Sequence, residues 1–272
     1  MYSQLQNLMV ALQLPVKPKQ LIDIITQYPE IMQIYQASTG QILQQQLRDI
    51  NEPYSHLLQL VLLPKQQLCN VLIQQYQESS EIIFVLCVIL MSKNNQQMVE
   101  FEQQFDFNGI DLYTFISSTI SNLDIRRVFI AISAGSRSEQ MDDLLITDEI
   151  SRVYGINDQK QLFSYILYVL CSCNKESILL IHQKINLIEK IQFLEDKEVV
   201  FILITLFECF NNGIEKTLFT LAMKDTELLR KQKLGILLTY LKDANFKQIL
   251  GEPDFKESTQ SYEYEVLYQL WK

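Results

Sequence analysis

The chain has 272 residues, 48% of them hydrophobic and 20% charged, with a formal net charge of -9. This composition can bury a core and excludes a disordered, solvating chain, and the acidic balance has the wrong sign for a protein that grips nucleic acid by neutralising phosphates. Only 7 glycines and 6 prolines punctuate it, too few turn-formers for a sandwich, a barrel or a doubly wound sheet of this length, so the chain is predicted to be all-α.

In chain order, residues 1–64 read as an N-terminal Gln-rich helical region broken by Pro15, Pro18, Pro29, Pro53 and Pro64. From residue 65 to about 250, apolar helical runs recur. They begin at Ile82 (IIFVLCVILM), Ile125 (IRRVFIAISA), Leu162 (LFSYILYVLCSC), Val199 (VVFILITLFECF) and Leu234 (LGILLTYL), at spacings of 43, 37, 37 and 35 residues. The first three are each followed by a polar break and a more amphipathic stretch. A unit of this size cannot bury its own apolar helix and must stack on its neighbours, so the period predicts an α-solenoid of about four armadillo-like three-helix repeats. The amphipathic third helices are expected at residues 110–118, 149–155 and 185–196, lining the concave face. Asp124, Asp196 and Glu198 stand where helix N-termini favour negative charge. Residues 251–272, after Pro253, form a tail whose stretch SYEYEVLYQLW is predicted to be a C-terminal capping helix. A plain bundle of long helices is the alternative architecture.

The residues that carry chemistry are sparse. His56 and His182 are the only histidines, and neither has a metal-ligand partner at a recognised spacing. Cys171 and Cys173 would point to nearly opposite sides of a helix, and the cysteines read as small buried hydrophobes. No phosphate-cradling glycine loop or nucleophile elbow is present. The acidic stretch at 139–149 lacks the ligand alternation of a calcium loop, and the basic run from Lys224 to Lys247 is broken by Asp225, Glu227 and Asp243 and reads as a solvated helix face. No catalytic residues, cofactor or metal are expected, and the chain is predicted not to be an enzyme. No N-terminal targeting segment is visible. The longest apolar run has ten residues, against the roughly 20 that span a bilayer, so no membrane contact is expected, and free cysteines favour a cytoplasmic setting.

Over about residues 79–245, SSEIIFVLCVILMSKNNQQMVEF, FDFNGIDLYTFISS, LDIRRVFIAIS and KEVVFILITLFECFNNGIEKTLF resemble the armadillo-type nucleotide exchange factors of the 70-kDa heat-shock chaperone. The resemblance implies a co-chaperone that grips the chaperone's nucleotide-binding domain and promotes ADP release by favouring its open state. It places partner contacts on the third helices, at Asp111, Tyr113, Ser117, Arg152, Tyr154, Glu189 and Gln192. The family's Trp-containing N-terminal helix and Gly-rich stretch have no counterpart in residues 1–64, where Gly40 is the single glycine. The alternative reading is a generic armadillo-like scaffold or adaptor within a larger assembly.

Overall fold

The computed structural model describes residues 2–13, 17–28, 30–48, 59–63, 65–138, 143–153, 156 and 158–241. Among these residues every regular element is an α-helix, and the one β feature is an isolated antiparallel bridge between Phe107 and Ile110. Four helices open the chain: α1 (Tyr2–Ala11), α2 (Pro18–Gln27), α3 (Ile31–Thr39) and α4 (Leu43–Arg48). Pro18 begins α2, where its missing N–H leaves no bond unmade. Leu8, Leu21, Ile22, Ile31, Leu43 and Leu47 bring the four helices onto one buried cluster.

The remaining helices are α5 (Lys65–Tyr76), α6 (Ile82–Met91), α7 (Asn95–Gln104), α8 (Leu112–Thr119), α9 (Leu123–Ser133), α10 (Asp143–Val153), α11 (Gln159–Ser172), α12 (Lys175–Ile185), α13 (Leu187–Gln192), α14 (Lys197–Asn212), α15 (Ile214–Met223) and α16 (Glu227–Tyr240). Contacts divide the chain into two compact units. One comprises the described parts of Met1–Leu72 and Phe219–Lys272, and the other is Ile73–Leu218. In the first unit Cys69 and Tyr240, both buried, meet at 3.5 Å between sulfur and hydroxyl.

The five apolar runs are all helical, on α6, α9, α11, α14 and α16. In α6 only Ile83 escapes full burial. The repeat they belong to, however, is longer than the run spacing suggests, and the turn and cap residues reveal it. Asn94 caps α7, and Asn174, 80 residues later, caps α12. Left-handed Asn108 precedes the short helix α8, and left-handed Asn186, 78 residues later, precedes the short helix α13. Asn122 caps α9, and Asp196, 74 residues later, caps α14. Gly135 and Gly213, 78 residues apart, both with positive φ, follow α9 and α14. Helices α6 to α10 therefore recur as α11 to α15.

The unit is five helices long, and the three-helix armadillo unit is corrected to it. Two helices of each unit, α6 with α9 and then α11 with α14, carry the strongest apolar runs, so hydrophobicity repeats at about half the true period. Of the expected third helices, 110–118 corresponds to α8, 185–196 contains the shorter α13, and 149–155 falls partly in the last turns of α10.

One pair of equivalent helices packs together, α9 against α14, and α9 also packs against α6, α7, α8 and α11. Phe129 of α9 is fully buried at this junction, whereas Phe201 of α14 is 53% exposed. Truncating Phe129 to Ala should cost about 3–5 kcal/mol, and Phe201→Ala about 0.5 kcal/mol or less. Urea-unfolding midpoints of the two variants check the difference; equal losses would mean that α9 is not the centre of its unit.

Candidate functional site

Six of the seven predicted partner-binding residues are described, and they lie on or cap three helices of the Ile73–Leu218 unit. Asp111 is the N-cap of α8 and accepts the Thr114 N–H at 2.6 Å, a bond that holds its carboxyl below the usual carboxylate range. Tyr113 is exposed on the same helix and Ser117 half-buried. Arg152 is exposed in the last turn of α10, and Tyr154 lies outside the described residues. On α13, Glu189 accepts the side-chain amide of Asn186 at 3.1 Å, and Gln192 is exposed at the helix end. Asp111 and Glu189 are thus occupied locally, shaping the ends of the short helices. The His182 ring lies 4.6 Å from Phe207, and its Nδ1 is buried without a hydrogen-bond partner. All five cysteines are free.

Two ends of the α9–α14 pair are more informative. At the N-terminal end the two caps touch, Asn122 Nδ2 donating to Asp196 Oδ2 at 2.9 Å. Each cap also serves its own helix: Asn122 accepts the N–H groups of Asp124 and Ile125, and Asp196 those of Glu198 and Val199. The Asn122 amide first, and then the backbone N–H groups, hold the Asp196 carboxyl below its ordinary value. Leu123, next to one cap, and Phe193, three residues before the other, are 63% and 67% exposed.

The loop after α9 meets the turn after α6 and the end of α11. Asn95 grips the backbone of Arg137 twice, donating from Nδ2 to its carbonyl at 2.7 Å and accepting its N–H at 3.3 Å. Ser138 donates its N–H to the Ser172 carbonyl at 2.7 Å. Gly135 makes this approach possible. It has φ +56°, and a Cβ there would stand 3.3 Å from both the Asn95 carbonyl oxygen and Met98 Cβ.

So held, the Arg137 guanidinium lies 4.9 Å over the Phe210 ring. Its Nε is buried with no hydrogen-bond partner, and among the described residues neither terminal nitrogen makes a hydrogen bond or an ion pair. Burial pulls its pKa down, and Cys171 and Cys209 are the only groups that counter this. They can do so only as thiolates. Burial pushes both thiols up to about 12, so at neutral pH they supply no counter-charge. Arg137 escaped the sequence reading because a single Arg in GSRS looks like a solvated turn. The recurrence of Asn94 as Asn174 was the available clue to a built inter-helix end.

Neither a family model nor a curated protein sequence matches the chain. Solved structures do. The calcium-bound structure of α-14 giardin shares 15% identity, covering 100% of this chain and 99% of its own, with a TM-score of 0.81. Annexin III shares 18%, covering 99% and 92%, with a TM-score of 0.78, and chicken annexin V in complex with zinc shares 13%, covering 99% and 94%, with a TM-score of 0.79.

The fold is the annexin fold. The armadillo resemblance is overturned by these full-length matches, and with it the exchange-factor role, the 70-kDa chaperone as partner and the generic armadillo scaffold. The sequence resemblance rested on apolar helices at half the real period, which an annexin-type repeat supplies as readily as an armadillo one.

Two of these relatives were solved with a divalent cation. Calcium takes about 6–8 oxygen ligands, and among the described residues no group of three or more His, Cys, Asp or Glu side chains could hold a metal. The cap oxygens of Asn94 and Asn174 are already used by the Gln97 and Ser177 N–H groups, and the loop after α9 presents a guanidinium.

The cap contact carries its own expectation. Asp196→Ala removes the α14 cap and should cost about 1 kcal/mol at neutral pH, with Asp196→Asn retaining most of the capping. Because the folded-state pKa is depressed, the carboxylate's contribution is present above the unfolded value and lost as pH falls through the folded one. Unfolding midpoints followed below about pH 4 should therefore fall more steeply in the parent protein than in Asp196→Asn; identical acid limbs would remove Asp196 from the account.

Proposed function

We propose that the protein is an annexin-type peripheral binder of phospholipid surfaces. The observation that carries this reading is the match along the whole chain to calcium-bound giardin and to annexins. It replaces the expectation that no membrane is involved. No helix among the described residues is long and apolar enough to cross a membrane, so the contact is made from outside the bilayer.

The net charge of -9 opposes approach to an anionic surface, over a screening distance of about 8 Å at physiological ionic strength. Divalent cations in the medium weaken that repulsion. The protein is therefore expected to co-sediment with phosphatidylserine/phosphatidylcholine vesicles in millimolar calcium, less in EGTA, and hardly with phosphatidylcholine alone. Equal partition to all three, or none to any, sinks the reading.

A further inference from the structure

We propose that Arg137 is the centre of an oxoanion-binding site, built by the loop after α9 and selective for phosphate groups, that works without a metal ion. Three observations carry this. The Arg137 backbone is held by the paired Asn95 bonds and by the Ser138–Ser172 bond beside it, and its guanidinium lies over the Phe210 ring. Among the described residues it has no acceptor: Nε is buried without a hydrogen-bond partner, and no carboxylate pairs with it. Glu208, a near neighbour in sequence of Phe210, accepts instead from the Asn212 side-chain amide.

The last turns of α11 and α14, at Cys171 and at Cys209 and Phe210, explain why a cation is tolerated there, because helix C-termini favour positive charge. They leave its N–H groups without partners. A planar fork lying over an aromatic ring, with no acidic partner among the described residues and with its backbone clamped, suits the two-oxygen edge of a phosphate, which Arg engages bidentately. The phosphate could be that of a small phosphomonoester or of a lipid headgroup.

The test uses the full chain in EGTA, which separates it from the calcium-dependent vesicle binding above. Inorganic phosphate and sn-glycerol 3-phosphate are titrated at constant ionic strength by calorimetry, and phosphatidic acid/phosphatidylcholine vesicles are compared with phosphatidylcholine alone. Saturable binding that weakens about tenfold or more in Arg137→Gln, equivalent to about 1.4 kcal/mol, and detectably in Arg137→Lys supports the site. Binding of the soluble phosphates alone marks a small ligand, and binding of the vesicles alone marks a headgroup.

A second readout needs no variant. Phosphate should protect Arg137 of the parent protein from phenylglyoxal, followed by peptide mass spectrometry, while Arg127, paired to Asp124 on the exposed face of α9, reacts unchanged. No saturable binding together with no protection overturns the proposal, as does equal binding by a folded Arg137→Gln.

Discussion

Two helices lying side by side in the same direction are the constraint around which the Ile73–Leu218 unit is organised. The N-terminal caps of α9 and α14 touch through Asn122 and Asp196, and their C-terminal ends are joined by Arg137 reaching over Phe210. Parallel neighbours place two positive helix ends together and two negative ends together, which is unfavourable unless charge is supplied at both. The chain supplies it. Asp196, Asp124 and Glu198 lie at the N-terminal end, and the guanidinium of Arg137 lies at the other. Burial of Phe129, Val128, Leu203 and Phe207 provides the driving force, and the charges ease the cost of the parallel arrangement by about 0.3–1 kcal/mol each.

From that pair the rest of the unit follows. Because α9 and α14 are equivalent members of successive five-helix repeats, their contact forces the helices before each of them to approach as well. This is why Asn95, at the start of α7, and Ser172, at the end of α11, both meet the loop after α9. Gly135 permits the meeting, since its left-handed backbone turns the chain back toward Asn95 where no Cβ would fit comfortably. The short helices α8 and α13 then bridge the remaining gap, each entered through a left-handed Asn, Asn108 or Asn186.

Much of this was legible in the sequence. The all-α class, the five apolar helices and the negative charge before α9 and α14 followed from composition and periodicity. The repeat length did not, because hydrophobic periodicity reports how often a helix is buried, and here two helices of every unit are. The full period is carried by caps and turns, in residues such as Asn94 and Asn174 whose side chains look like ordinary loop polarity until their partners are seen. The predicted partner residues Asp111 and Glu189 are legible in the same way only afterwards: both are polar on a short helix because they finish the helix end. Arg137 was invisible for a more basic reason. Its place in the proposal rests on how its backbone is clamped and its side chain laid over Phe210, contacts with residues 42 and 73 positions away that a linear sequence does not show.

The opposed charges at the two ends of α9 and α14 also bear on orientation. A chain of net charge -9 approaching an anionic surface meets least repulsion where its own potential is least negative. The N-terminal end presents the Asp196 carboxylate, held ionised by its hydrogen bonds and accompanied by exposed Glu195 and Glu198. The opposite end presents the Arg137 guanidinium, without an acidic partner among the described residues, with Lys93 and Lys175 nearby in the chain after α6 and α11, and also Glu208 and Glu215, whose charges act on the Cys209 thiol. The exposed Leu123 and Phe193 and the Arg137 site proposed above thus stand at opposite ends of one helix pair.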